Sequence, residues 1–487
     1  VGRSERTDAV IEPRLSLQWF MSMEKLAKPA LDHVMDDTIQ FHPAKFKNSY
    51  RNWMENIKDW CVSRQLWWGH RIPAFYYGDG DDDFVVAKTM AEAVAKACEK
   101  SGKPLNESDM KQDEDVMDTW FSSWIWPIQV FDGLHKDGEV DYYYPTNDLV
   151  TAPEIMFFWV ARMIMSGYHY RELPPFKNVY FTGIVRDEKG RKMSKSLGNS
   201  PDPIELIEKY GADGVRVGML LTSPAGNDLP FDEKLCETGR NFSNKIWNAF
   251  RLVQGWEVDS DKAQPESAAL AVEWMNSRVN AALVDLDSQF GEFRLSEALM
   301  TTYRLVWEEF CSWYLELIKP PYGEPIDAKT LSETFALFEK LLKILHPFMP
   351  FLTEEVWHWI GEKNTPENAL IIAEWPTPGD IDQSLLKDFE TLKEIVGGVR
   401  NVRKENNIPN KEKLSLKVQA GDGYTEQLES AIAHLTNLDE IEHVDEKVDG
   451  AFGFMVGRTR FYIPFSGGFD VEAEKAKIQK DLDYQLG

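Results

Sequence analysis

Asn178-Val179-Tyr180-Phe181-Thr182-Gly183-Ile184-Val185 is the run on which the fold turns. Its β-branched and aromatic side chains suit a buried core strand. Just before it, residues 153–166 (Pro-Glu-Ile-Met-Phe-Phe-Trp-Val-Ala-Arg-Met-Ile-Met-Ser) are apolar nearly all round, which predicts a buried helix. Just after it stand a turn, Asp187-Glu188-Lys189-Gly190, and the string Lys192-Met193-Ser194-Lys195-Ser196. A further helix is then announced by Asp202 with Glu205 as a capping box and Pro203 in the first turn, with Gly211 as its stop. Alternation of this kind argues for a parallel α/β sheet.

Outward from this centre the pattern changes twice. Toward the start, residues 1–45 mix strand-like and helical segments, including an extended Leu15-Ser16-Leu17-Gln18-Trp19-Phe20. Residues 46–78 read as a helix and then an extended stretch, and 89–100 as an Ala-rich amphipathic helix. Toward the end, 237–360 is almost wholly helical. Leu331, Phe335, Phe338, Leu341, Leu342 and Leu345 recur at helical spacing until Pro347 and Pro350 break it. Residues 380–465 read as mixed α/β, with clean alternation through Lys413-Leu414-Ser415-Leu416-Lys417-Val418. A charged helix is expected to begin near 471.

The 487 residues, 43% hydrophobic and 12% aromatic, can bury several cores. Acidic residues outnumber basic ones 80 to 54, a net charge of -26, which by itself argues against a nucleic-acid partner. Net charge speaks mainly to solubility, and a local basic groove survives it. Cys61, Cys98, Cys236 and Cys311 form no Cys-x-x-Cys pair, so no zinc ribbon or disulfide framework is supported, and scattered thiols fit an intracellular, cytoplasmic setting. No run of about twenty apolar residues exists to span a membrane. No P-loop string and no internal period occurs, which disfavours a P-loop ATPase and a repeat scaffold. The chain starts without Met and stops inside a helical pattern, as an excised piece would.

The chemistry concentrates at Lys192–Ser196. Two ammonium groups flanked by hydroxyls, on a loop after a strand, suit negative charge that grows on phosphate during nucleotidyl transfer. The competing reading is a solvated basic loop, which any isolated K-x-S-K would favour.

The same five residues match the KMSKS motif of class I aminoacyl-tRNA synthetases, and the resemblance runs through nearly the whole chain. Cys61 to His70 resembles the segment by which the valine, isoleucine and leucine group re-enters its catalytic sheet. Leu66-Trp67-Trp68-Gly69-His70 and Asp118-Thr119-Trp120-Phe121-Ser122-Ser123 look like the valine branch, where the isoleucine branch carries Arg-Tyr-Trp-Gly and Asp-Val-Trp-Phe-Asp-Ser-Gly. Gly211–Arg216, Arg240–Lys245 and His346–Phe351 fit as well.

The resemblance implies the second half of a Rossmann-type catalytic domain, an anticodon-binding helix bundle and a small C-terminal α/β subdomain. The ranges expected are 1–45 for a junction, 46–210 for the catalytic half and 211–236 for a connecting segment. They continue with 237–378 for the bundle, 379–466 for the subdomain and 467–487 for the start of a helical arm. It implies ATP with Mg²⁺, valine and tRNA(Val) as reactants, in a parent enzyme that is monomeric. Trp68, Trp120 and Val116 would wall the valine side chain, although any single Trp is as well explained as core. Thr182, Gly183, Ile184 and Val185 would lie along adenine, Gly183 permitting close backbone approach, and Glu154 would stand near the nucleotide or the amino group. Lys195, Lys192, Met193, Ser194 and Ser196 would serve the triphosphate, with Lys195 and Lys192 catalytic. Arg240, Lys245, Arg400, Arg403 and Lys404 would meet tRNA phosphates, against an equal expectation of plain solvated charges. The partner motif His-Ile-Gly-His does not occur, and neither does the proofreading insertion. The chain alone is thus expected to be inactive, a tRNA-binding module at most, and no zinc is expected near residue 1.

Overall fold

The computed structural model describes residues 1–4, 7–136, 138–194, 197–361, 365–421, 424–464 and 479. It falls into two compact units, residues 1–185 with 223–229, and residues 186–222 with 230–487.

In the first unit the labelled elements are α1 (Glu24–Met35), β1 (Gln40–His42), α2 (Phe46–Glu55), β2 (Ser63–Arg64) and β3 (Val116–Met117). They continue with α3 (Thr119–Ser123), β4 (Thr146–Thr151), α4 (Ala161–Arg171) and β5 (Phe176–Phe181). The expected parallel sheet is present, in the order β1-β5-β4, with Val179 opposite both Phe41 and Leu149. Val179 and Phe181 are fully buried because helices cover them, and Ala27, Ala30 and Val34 of α1 and Ile164 of α4 share that core. A separate three-stranded antiparallel sheet, Ala74–Tyr76 between Phe84–Val86 and Lys111–Gln112, packs on the helix Met90–Ser101.

Four expectations change here. The stretch 15–20 makes no strand before Phe20, and Leu15 and Leu17 lie exposed, since nothing pairs their backbone. The boundary at 45/46 falls inside one core, because α1 and β1 bury their apolar face against α2 and β5. The strand at 178–185 ends at Phe181. The buried helix at 153–166 is present but opens as a 3₁₀ turn at Pro153–Ile155 and a π turn at Met156–Val160 before α4 begins.

In the second unit, α5 (Pro203–Tyr210) starts at Asp202, whose carboxylate accepts from Ile204 N. After it come α6 (Ala212–Leu221), α7 (Glu233–Gln254), α8 (Glu266–Gly291), α9 (Ala328–Leu345), α10 (Pro350–Trp359) and α11 (Gln383–Glu405). Helices α6 and α7 meet through glycine. A Cβ on Gly239 would stand 2.2 Å from the Gly214 carbonyl oxygen, so only glycine allows that approach. The chain closes with β6 (Leu414–Gln419), α12 (Glu429–Thr436), β7 (Leu438–His443), β8 (Ala451–Val456) and β9 (Thr459–Pro464), in a mixed sheet ordered β7-β6-β9-β8. The alternation read at 413–418 is borne out, with Leu414, Leu416 and Val418 all buried.

The break expected at 378/379 does not separate two cores. Trp274 of α8 stacks on Phe389 of α11 at 4.5 Å between centroids. Leu416, Ile432 and Phe461 join Leu283, Phe338 and Leu392 in one hydrophobic cluster. The charged helix expected from about 471 lies outside the described residues.

Two quoted motifs meet in this unit. Asp213 of α6 accepts from Leu352 N at 2.6 Å and Phe351 N at 3.4 Å, capping α10 from a distant part of the chain. Arg216, one turn further along, donates to the Pro347 and Phe348 carbonyls at 3.0 and 3.2 Å. One face of α6 thus fills part of the Pro-rich turn's backbone groups, while the His346, Phe348 and Met349 N–H groups return to Leu342 and Leu345 of α9.

Candidate active site

Strands β4 and β5 are parallel neighbours, so their carboxyl ends open at the same edge. Glu154 follows the first of these ends on the exposed 3₁₀ turn, and Thr182–Val185 follow the second. Thr182 N donates to Thr151 O at 2.9 Å and ties the two exits together. In open α/β sheets this is the edge at which ligands bind. Gly183 permits a close approach of another kind than expected. Its Cβ position lies 1.7 Å from the Asn227 carbonyl oxygen, so the chain's own segment 223–229 fills that side. Gly226 N to Phe181 O, at 2.8 Å, and Leu229 N to Ile184 O, at 2.9 Å, hold the segment there.

Val116 lies in the short antiparallel ladder β2–β3, Trp120 in α3 just after it, and Trp68 in the loop next to Gly69. They differ in surroundings. Val116 is buried, with Gly69 packed against it, while Trp68 is 91% exposed. Trp120 is half-buried and stacks on Phe158, with centroids 5.9 Å apart.

Beneath Trp120 lies a buried charge cluster that the sequence did not announce. Asp118, 6% exposed, accepts from Trp120 N at 3.2 Å, Trp60 Nε1 at 3.0 Å and Arg64 Nη2 at 2.7 Å. Arg162 sits 3.8 Å from the same carboxylate and 3.5 Å over the Trp60 ring. Burial pushes its guanidinium down to about 10, Asp118 opposing the shift and Arg64 adding to it. Asp118 had been visible only as a letter in a motif, and Arg162 only as a charge inside an apolar helix.

The lysine loop is held at its base by two residues that were not singled out. Asp187 accepts from Asn199 Nδ2 at 3.0 Å, from the backbone of Lys189 and Arg191, and from the Arg191 guanidinium. These donors, Asn199 first, hold its carboxyl well below the usual carboxylate range. Asn199 Oδ1 in turn accepts from Ser194 N at 2.9 Å, and its Nδ2 reaches Lys192 O at 3.3 Å. Lys192 is exposed, and Met193 and Ser194 are half-buried. Lys195 and Ser196 lie outside the described residues.

Of the basic residues, Arg400 and Lys404 share one face of α11, four residues apart, and line a cavity of about 540 Å³ with His434, Asn410 and Asn437. Arg403 lines the same cavity, but it is 4% exposed and its guanidinium donates to the carbonyls of Pro409, Thr436 and Asn437, closing the end of α12. Arg240 pairs with Glu237 at 3.2 Å, and Lys245 lies 5.5 Å from the Trp307 ring centre. Neither lines that cavity. Among the described residues no three His, Cys, Asp or Glu side chains converge on a metal position, and no helix is long and apolar enough to cross a membrane.

Comparison with known proteins finds two matched stretches along the chain. Residues 4–232 match the family described as tRNA synthetases class I (I, L, M and V), and residues 272–419 the anticodon-binding domain of tRNA ligase. A methionyl-tRNA synthetase of Mycobacterium tuberculosis, solved bound by methionyl-adenylate, aligns over 78% of this chain and 70% of its own, with a TM-score of 0.54 at 16% identity. Along these two stretches the chain is similar to class I aminoacyl-tRNA synthetases, a catalytic region followed by an anticodon-binding domain. Within that class it is similar to valine–tRNA ligases. Those of Christiangramia forsetii and Parabacteroides distasonis are 55% and 56% identical over 490 residues. Both alignments take in 100% of this chain and 56% of the relative, so the chain spans little more than half their length.

Proposed function

We propose that the longer protein carrying this chain is a valine–tRNA ligase and that this chain supplies the lysine-loop half of its active site. The carrying observation is that 55% identity to valine–tRNA ligases extends over the whole chain while Glu154 and Thr182–Val185 converge at the carboxyl edge of a parallel sheet. In the first step a valine carboxylate oxygen attacks the α-phosphorus of ATP, and the bond to pyrophosphate breaks. In the second, a terminal ribose hydroxyl of tRNA(Val), the 2′-hydroxyl in this class, attacks the acyl carbon and AMP leaves. Trp68, Val116 and Trp120 bound the isopropyl group. Thr182–Val185 lie along the nucleotide, with Glu154 beside it. Lys192 and Lys195 place positive charge where negative charge grows on the phosphates. Mg²⁺ belongs to this chemistry, but the described residues offer it no cluster of three His, Cys, Asp or Glu ligands.

The acidic total does not oppose an RNA partner, because Arg400 and Lys404 form a local basic site, with Arg240 and Lys245 as further phosphate contacts. That site also supports a second reading, in which the isolated chain binds tRNA without catalysing anything.

Valine-dependent ATP–pyrophosphate exchange, measured on this chain and on the full-length protein with isoleucine and threonine as controls, separates these readings. Exchange is expected from the full-length protein, strongest with valine, and none from the chain, which lacks any His-Ile-Gly-His string. Preference for isoleucine would remove the valine assignment and leave the class. Exchange by the chain alone would overturn the division of the site into two halves.

A further inference from the structure

Asp118 and Arg162 connect the carboxylate under one pocket wall to the ring that backs it. Helix α3 has five residues, too few to fix its own direction, so its N-terminus depends on Asp118 accepting from Trp120 N. The Trp120 ring leans on Phe158. Phe158 lies in the π turn, and Arg162, four residues on, stands 5.8 Å from the Phe158 ring centre and directly over Trp60. Trp60 returns to Asp118 through its indole N–H. The contacts close a ring: Trp120, Phe158, Arg162, Trp60, Asp118 and back to Trp120.

The ring contains a group that stability alone does not explain. Arg162 is 7% exposed, and its Nε and Nη1 are buried with no hydrogen-bond partner among the described residues. A buried guanidinium only partly satisfied loses hydration that a 3.8 Å ion pair does not restore, and an apolar residue of similar volume is often neutral or better for stability. What the charge supplies is a single arrangement of the two aromatic rings.

We propose that Asp118 and Arg162 are positioning residues for Trp120 that set which amino acid the pocket accepts. The proposal rests on the reading of Trp120 as a wall of the valine pocket. Loss of the pair leaves Trp120 free to tilt, which widens the slot for a side chain one methylene larger.

The test uses the full-length protein with Arg162→Met, Arg162→Lys and Asp118→Asn, measuring KM and kcat of exchange for valine, isoleucine and ATP. Arg162→Met is expected to raise the valine KM and to lower discrimination against isoleucine by about tenfold or more, with the ATP KM unchanged. Arg162→Lys, which restores charge without the planar stack, is expected to recover discrimination in part. If Arg162→Met does not fold, Asp118→Asn carries the same expectation, since its amide oxygen still accepts from Trp120 N while the charge and the acceptor for Trp60 Nε1 and Arg64 Nη2 are lost. Unchanged discrimination in the folded variants overturns the proposal. So does an equal loss for valine and ATP, which would mark the pair as general scaffolding. A wild-type protein with no valine-dependent exchange at all would instead sink the functional reading beneath it.

Discussion

Gly183 and Gly397 are the same residue type in opposite circumstances. At Gly183 a methyl group would meet the Asn227 carbonyl oxygen, and backbone cannot swing aside as a side chain can. Gly183→Ala is expected to cost about 3 kcal/mol, the upper range for overpacking. At Gly397, inside α11, nothing stands within 4 Å, so Ala there should stabilise by about 0.5–1 kcal/mol. Urea midpoints of the two variants, read against wild type, check both signs together. A neutral Gly183→Ala would mean that the 223–229 segment yields. Arg403 teaches a related lesson. Its charge marked it for phosphate, yet three carbonyls already hold the guanidinium. A sequence records the donor and not whether the fold has used it.

At the scale of elements, the turn 346–351 shows how one helix can finish another. Asp213 of α6 accepts from the Phe351 and Leu352 N–H groups, Arg216 of α6 donates to the Pro347 and Phe348 carbonyls, and His346 Nδ1 lies 2.8 Å from Thr353 Oγ1. Burial lowers the His346 pKa from 6.5, with Glu354 and Asp213 pulling the other way and the Arg216 cation also lying against this turn. The unfolded chain therefore binds a proton more readily than the native state, and stability falls as pH drops below 6.5. His346→Gln, compared with wild type by urea midpoint at pH 7.5 and pH 5.5, is expected to lose less on acidification. An identical loss in both would place the acid sensitivity elsewhere.

Elements were legible where their signal is local. The strand before the lysine loop, the capped α5 and the alternation of β6 each follow from spacing or a capping residue. The end of β5 at Phe181 was not legible, because Thr182–Val185 keep strand-like side chains while their backbone turns to Thr151 and the 223–229 segment. The site was readable as a set of types, with Trp68, Trp120 and the lysines visible in their motifs. The Asp118–Arg162 pair and the Asn199 latch were not, since both depend on partners about 44 and 12 positions away that no periodicity reveals.

On the scale of the whole molecule, the line expected at 378/379 crosses a core that one helix shares between two layers. Helix α11 stacks Phe389 on Trp274 of the bundle and packs Gly398 against Phe454 of the terminal sheet. Asn280 Nδ2 to Asp380 O, at 2.8 Å, and Asp382 N to Ser277 Oγ, at 3.2 Å, join the incoming segment to α8. A chain ended at Pro378 is expected to lose cooperative unfolding and to bind a dye that reports exposed apolar surface. A sharp thermal transition in the shortened chain would show the bundle to be self-sufficient.

That shared helix also bears on descent. A segment with its own core can be copied, lost or joined to an unrelated neighbour, and each product still folds. Residues 379–464 have no such freedom, because a gene carrying them elsewhere would deliver α11 with half its apolar stripe bare, and a gene without them would strip Trp274. Recombination between relatives is tolerated inside this region only where both layers are inherited from the same parent.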